Sequence, residues 1–196
     1  MTGKIMMAVA VGIGLGLILP SEINEMSTVF LNIGLCVLLF FVGIDIGRNK
    51  TILQTIKRSG LLFVLVPLGT AIGAIGGAVV AGLILGYPIN EAGAVGAGFG
   101  WYTLSAIIIA PYAAELSVLA FLTNVMREIV AIMMIPIIAK RMGYVVAIAP
   151  AGATAMDTTL PIISKNTSGE TAVLAFASGL VLSLMVPVLV PFILNL

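Results

Sequence analysis

Long apolar runs organise this chain, in place of the stripes of amphipathic helices or the alternation of half-buried strands. A bilayer core takes about 20 apolar residues as a helix, and a run of about 10 to 14 more often belongs to a segment that enters and leaves by one face. By that measure Lys4 to Leu19, Ser27 to Gly47, Leu61 to Leu85, Ala113 to Ala139 and Thr171 to Leu194 read as five spanning helices. The last carries Pro187 and Pro191 near its end, where neighbouring helices can satisfy the freed backbone groups. The first run resembles a signal peptide in its basic head. It stops at Pro20-Ser21-Glu22 with no small-x-small cleavage pattern, so we read it as a span.

Two further segments, Asn90 to Pro111 and Gly143 to Ser164, are interrupted near their middles. The first contains Gly98-Phe99-Gly100-Trp101-Tyr102-Thr103-Leu104-Ser105 and the second Gly152-Ala153-Thr154-Ala155-Met156-Asp157-Thr158-Thr159. Each reads as a broken crossing helix or a re-entrant hairpin. The basic residues favour hairpins, because short cytoplasmic loops retain Lys and Arg. With five spans and two hairpins, Lys4, Arg48, Lys50, Lys57, Arg58, Lys140, Arg141 and Lys165 all fall inside. Glu22, Glu25, Glu91 and Glu115 fall outside, which gives a cytoplasmic N-terminus and an external C-terminus.

The expected fold is therefore an all-α membrane protein, one domain over 1–196. Its units 61–111 and 113–164 form an inverted repeat, each a span followed by a broken hairpin. Unwound backbone at membrane depth is tolerated only where it lines a cavity, and secondary transporters place their sites at such breaks.

Composition narrows the chemistry. The chain is 61% hydrophobic and 9% charged, with a net charge of +1, no histidine and one cysteine; its mean hydropathy is +1.24. That excludes a disulfide framework and the usual zinc spacings, and it offers no basic face for nucleic acid. No cofactor or metal site is expected. Most charges sit at span ends, within reach of water. Arg127 and Glu128 lie at the centre of one span and Asp157 at the tip of the second hairpin. Asp or Arg at the centre of a helix costs about 2.5–3.5 kcal/mol on insertion scales, so such residues mark substrate or proton paths, or else a buried ion pair such as Arg127 with Asp157. Asn124, Arg127 and Glu128 are spaced i, i+3 and i+4, which turns a polar stripe inward. Trp101 and Tyr102, set among glycines, are expected to wall a cavity. Asp45 lies near the inner boundary and reads as structural, while Cys36, Met126, Met133 and Met134 read as packing among helices.

Together the Gly98–Ser105 stretch, the Asn124 and Arg127-Glu128 stripe, and the Gly152–Pro161 stretch resemble the bacterial lysine exporter family, LysO. The resemblance runs from about Leu31 to the C-terminus. It implies a transporter, not an enzyme, that exports L-lysine and its toxic analogues across the cytoplasmic membrane, by exchange for protons. Glu128 and Asp157 are the carboxylates expected to carry transport, taking the ammonium groups of lysine. Arg127, Asn124 or backbone N–H groups beside Gly98 and Gly152 would take its carboxylate. Gly100, Thr103, Ser105, Thr154, Thr158 and Thr159 complete the expected pocket. Full-length members carry further N-terminal helices, so a small membrane partner or a second copy is expected to close the site. Two other classes compete. One is a non-transporting scaffold whose buried charges pair with a partner chain. The other is intramembrane hydrolysis through Ser105 or Asp157, for which no base sits in a matching span.

Overall fold

The computed structural model describes Ile33, Val37 and residues 60–196. The expected span Lys4 to Leu19 lies outside the described residues, as do Cys36, Asp45 and all but two helical residues of Ser27 to Gly47. Among the described residues every regular element is helical: α1 (Leu62–Leu85), α2 (Ile89–Gly96), α3 (Tyr102–Ile109), α4 (Ala114–Arg141), α5 (Leu160–Asn166) and α6 (Gly169–Leu194). Two short 3-10 turns, Val146–Ile148 and Gly152–Met156, lie between α4 and α5.

Length separates these elements into two kinds. The helices α1, α4 and α6 have 24, 28 and 26 residues and are apolar enough to cross a membrane. At a rise of about 1.5 Å per residue each exceeds the roughly 30 Å hydrocarbon core. These are the last three expected spans, with ends within two residues of the expected ones. In contrast α2 and α3 have eight residues each and α5 seven, too short to cross alone. A long helix followed by a broken segment thus occurs twice, and α6 follows.

Local chemistry explains the joints. Helix α1 ends because Gly86 takes the left-handed conformation (φ +84°), which lets the Tyr87 amide donate back to Gly82 O (2.8 Å). Pro88 is extended at the start of α2, and Asn90 Nδ2 donates to Leu194 O (3.2 Å), so α2 starts beside the end of α6. Helix α6 opens on Ser168, whose Oγ accepts from the Thr171 amide (3.2 Å).

Small residues let the helices approach closely, which replaces the hydrophobic drive that lipid cannot supply. Gly82 of α1 packs against Ala92 of α2, and a Cβ on Gly96 would meet Ala78 Cβ at 2.6 Å. Helix α6 is the central element: 56% of its most apolar stretch is buried, against 17% for α1 and 22% for α4. It packs on α1, α2, α3, α5 and the Gly152–Met156 turn. One expectation is corrected here. Among the described residues Met126, Met133 and Met134 face outward, at 56%, 66% and 38% exposure, and do not pack against the other helices.

Candidate functional site

Both breaks fall where the sequence places glycine and threonine. In the first, helical pairing stops after Ala97, and Phe99 (φ +50°) and Gly100 (φ +97°) turn the chain into α3. Phe99 is fully buried with positive φ, a conformation unusual for a bulky residue that needs strong surroundings to hold it. Asn124 of α4 supplies part of them. Its Oδ1 accepts from the Gly100 amide (2.7 Å) and its Nδ2 donates to Val95 O (3.1 Å) and Ala120 O (2.9 Å). At 2% exposure it is a buried clasp on the first break. Asn124→Ala is expected to cost about 1–3 kcal/mol, because it strands the buried Gly100 amide, while Val95 O keeps the Gly98 amide as a donor (3.2 Å). Thermal unfolding in detergent measures this, and an unchanged midpoint would contradict it.

The second break is held differently. Gly152 sits at φ +61°, Thr154 Oγ1 donates to Ala151 O (2.8 Å), and Thr159 Oγ1 donates to Thr154 O (2.9 Å). Arg127, one turn beyond Asn124, donates through Nε to Pro150 O (3.2 Å) and through Nη2 to Ala149 O (3.4 Å). The two breaks touch backbone to backbone, the Ala153 amide donating to Phe99 O (2.8 Å). Helix α6 backs this crossing with Gly179, where a Cβ would meet the Met156 amide nitrogen at 2.6 Å and Ala153 O at 2.8 Å.

Above the crossing lies a cavity of about 120 Å³. Glu128 and Asp157 both line it, with Gly100, Trp101, Tyr102 and Thr103 from the first break and Thr154 and Thr158 from the second. The cavity therefore brings together the two carboxylates and six of the ten expected pocket residues. Glu128 is half-buried and Asp157 exposed, with its Oδ1 accepting from the Thr158 amide. Tyr102 is steadied edge-on by Phe121, ring centres 5.4 Å apart.

The remaining expected residues lie off the cavity wall. Gly98 packs under Asn124 and Ser105, where a Cβ would stand 2.6 Å from Asn124 Nδ2. Ser105 is buried and donates to Tyr102 O (3.3 Å). Gly152 and Thr159 lie inside the second break, and Asn124 and Arg127 hold the breaks from α4. Arg127 directs its hydrogen bonds at carbonyls and forms no ion pair with Asp157.

Sequence reasoning did not find Ala153, Met156 and Ser183, which also line the cavity. For Ser183 a signal existed: Gly179 and Ser183, spaced i, i+4, put a small and a polar residue on one face of an otherwise apolar span. Among the described residues no cluster of three His, Cys, Asp or Glu could hold a metal ion.

Apolar helices of spanning length, with two broken segments meeting under a carboxylate-lined cavity, define a multi-pass helical membrane protein with a polar site on unwound backbone. The chain belongs to the lysine exporter LysO family, whose family model matches residues 6–194, well beyond the stretch from about Leu31 that the motifs suggest. It is 37% identical over 161 residues to the lysine exporter LysO of Escherichia coli (strain K12), covering 81% of this chain and 52% of that protein. It is 32% identical over 190 residues to a putative lysine exporter of Haemophilus influenzae (strain ATCC 51907 / DSM 11121 / KW20 / Rd), covering 96% of each. The chain thus spans about half the length of the E. coli relative. No solved structure matches it.

Proposed function

We propose that this chain exports L-lysine and its toxic analogues across the cytoplasmic membrane by lysine/proton antiport, with Glu128 and Asp157 as substrate and proton sites. The observation that carries this reading is the pair of carboxylates on one cavity at the junction of two broken helices. The family, and the names of both relatives, support lysine as the solute.

Lysine presents two ammonium groups and a carboxylate, so its site needs acceptors for the cations and donors for the anion. Glu128 and Asp157 provide the first, as charge-assisted acceptors. The first turn of α3 provides the second: Tyr102 and Thr103 border the cavity where that helix begins, and first-turn amides have no partner within their own helix. Export of a +1 solute from a negative interior is uphill by about 2.3 kcal/mol per 100 mV, and inward protons supply that energy. With no histidine in the chain, the exchanged proton is assigned to the two carboxylates that line the cavity.

The reading takes the chain as one transporter domain with the N-terminus cytoplasmic and the C-terminus outside. Its units 61–111 and 113–164 are inverted, which the repeated order of long helix and broken segment supports. A second copy or a small membrane partner stands beside it, and light scattering of the purified protein, giving more than one chain's mass, tests that part. Transport itself is tested in liposomes containing the purified chain and a trapped pH dye. A lysine gradient is expected to drive proton movement that glutamate does not. Silence with lysine sinks the proposal.

A further inference from the structure

Unwinding the second break leaves two carbonyls without a helical donor. In a continuous helix the Ala153 amide would bond Ala149 O; here it crosses to Phe99 O instead (2.8 Å). Ala149 O and Pro150 O are the two oxygens that Arg127 reaches, at 3.4 and 3.2 Å. Gly152 makes room for the guanidinium, since a Cβ there would stand 2.8 Å from Nη2. The arginine therefore caps the carbonyls that follow the short Val146–Ile148 turn. A cation there meets the lone pairs of both oxygens.

We infer that Arg127 is a positioning residue that caps the Ala149 and Pro150 carbonyls, holds the second break against α4 so that Asp157 faces the cavity, and is not a ligand of the substrate carboxylate. Three observations converge on this. Arg127 lies off the cavity wall while its neighbour Glu128 is on it. Its Nε and Nη2 are engaged with main-chain oxygens. Because the guanidinium is turned to those carbonyls, Asp157 is left without it, and an acidic group already paired to arginine would be a poor acceptor for an ammonium group. Asn124 does for the first break what Arg127 does for the second, so one turn of α4 fixes both and sets Glu128 between them.

The inference rests on the cavity being the transport site, and the experiment separates the two. In a Cys36→Ser background, Thr158→Cys places a reporter thiol on the cavity beside Asp157. Adding Arg127→Gln is expected to change its rate of reaction with a hydrophilic maleimide about tenfold, and Arg127→Lys to restore much of the original rate. Lysine exchange in liposomes should fall about 100-fold in Arg127→Gln, the order of loss expected from misplacing a reacting group by 1 Å. Inhibition of residual exchange by cadaverine, which lacks the carboxylate, should weaken in parallel with inhibition by unlabelled lysine. If lysine alone weakens, by about tenfold or more, Arg127 binds the carboxylate and the inference is overturned. An unchanged maleimide rate also overturns it. Should the unsubstituted protein exchange no lysine, the transport reading fails, while the maleimide rates still decide whether Arg127 positions the break.

Discussion

With Gln in place of Glu128, or Asn in place of Asp157, lysine-driven proton movement is expected to disappear while the protein stays folded. Each change keeps shape and removes charge, so it deletes the acceptor of an ammonium group and the carrier of the exchanged proton together. Loss of one charge-assisted hydrogen bond, at about 1.5–3 kcal/mol, is alone worth about 10- to 100-fold in binding, and loss of the proton carrier uncouples whatever binding survives. Stability should move the other way. Among the described residues, Asp157 Oδ1 accepts only from its neighbour Thr158, through the amide and the hydroxyl, and no distant one depends on it. A neutral side chain is also less costly than a carboxylate at membrane depth. Flux lost with an unchanged or raised unfolding midpoint is the expected pair of results. Normal lysine-driven flux in both variants would remove the carboxylates from the mechanism, and flux lost only because the protein unfolds would return them to a structural role.

The long helices were legible because membrane spans are written in composition: a run of apolar residues has no other stable home. The breaks were legible too, through Gly98, Gly100 and Gly152 set against threonines in segments too interrupted to cross as single helices. What each polar residue of α4 faces was not. The spacing of Asn124, Arg127 and Glu128 fixes their angles about the helix axis but not the neighbours at those angles. One meets the first break, one the second, and one the cavity. The outward methionines were unreadable for a related reason. Lipid is as apolar as a helix interface, so Met126, Met133 and Met134 carry no sign of which side they face. Helix α6 hid most of its role in the same way: apart from the short polar face around Ser183 it is apolar all round, and its central position shows only in how much of it is buried.

Gly152→Ala is the change expected to do most damage per atom added. Two costs coincide at this residue. The backbone has φ +61°, where a Cβ is unfavourable by about 1–2 kcal/mol, and the added methyl would strike Phe99 O and crowd the Arg127 guanidinium. Neither neighbour can yield easily: Phe99 O is bonded to the Ala153 amide, and Arg127 is engaged with Pro150 and Ala149. Overpacking of that kind adds about 1–3 kcal/mol, so the two breaks should part or the whole crossing should loosen. Gly86→Ala separates the terms. Gly86 also has positive φ (+84°), yet nothing stands within 4 Å of a Cβ built there, so it carries the backbone cost alone. In detergent, Gly152→Ala should therefore unfold at a clearly lower temperature than Gly86→Ala. In liposomes only Gly152→Ala should lose lysine exchange, because only that residue sits where the breaks support the cavity. Equal midpoints and equal flux for the two variants would mean that the backbone contact between Phe99 and Ala153 neither holds the fold nor shapes the site.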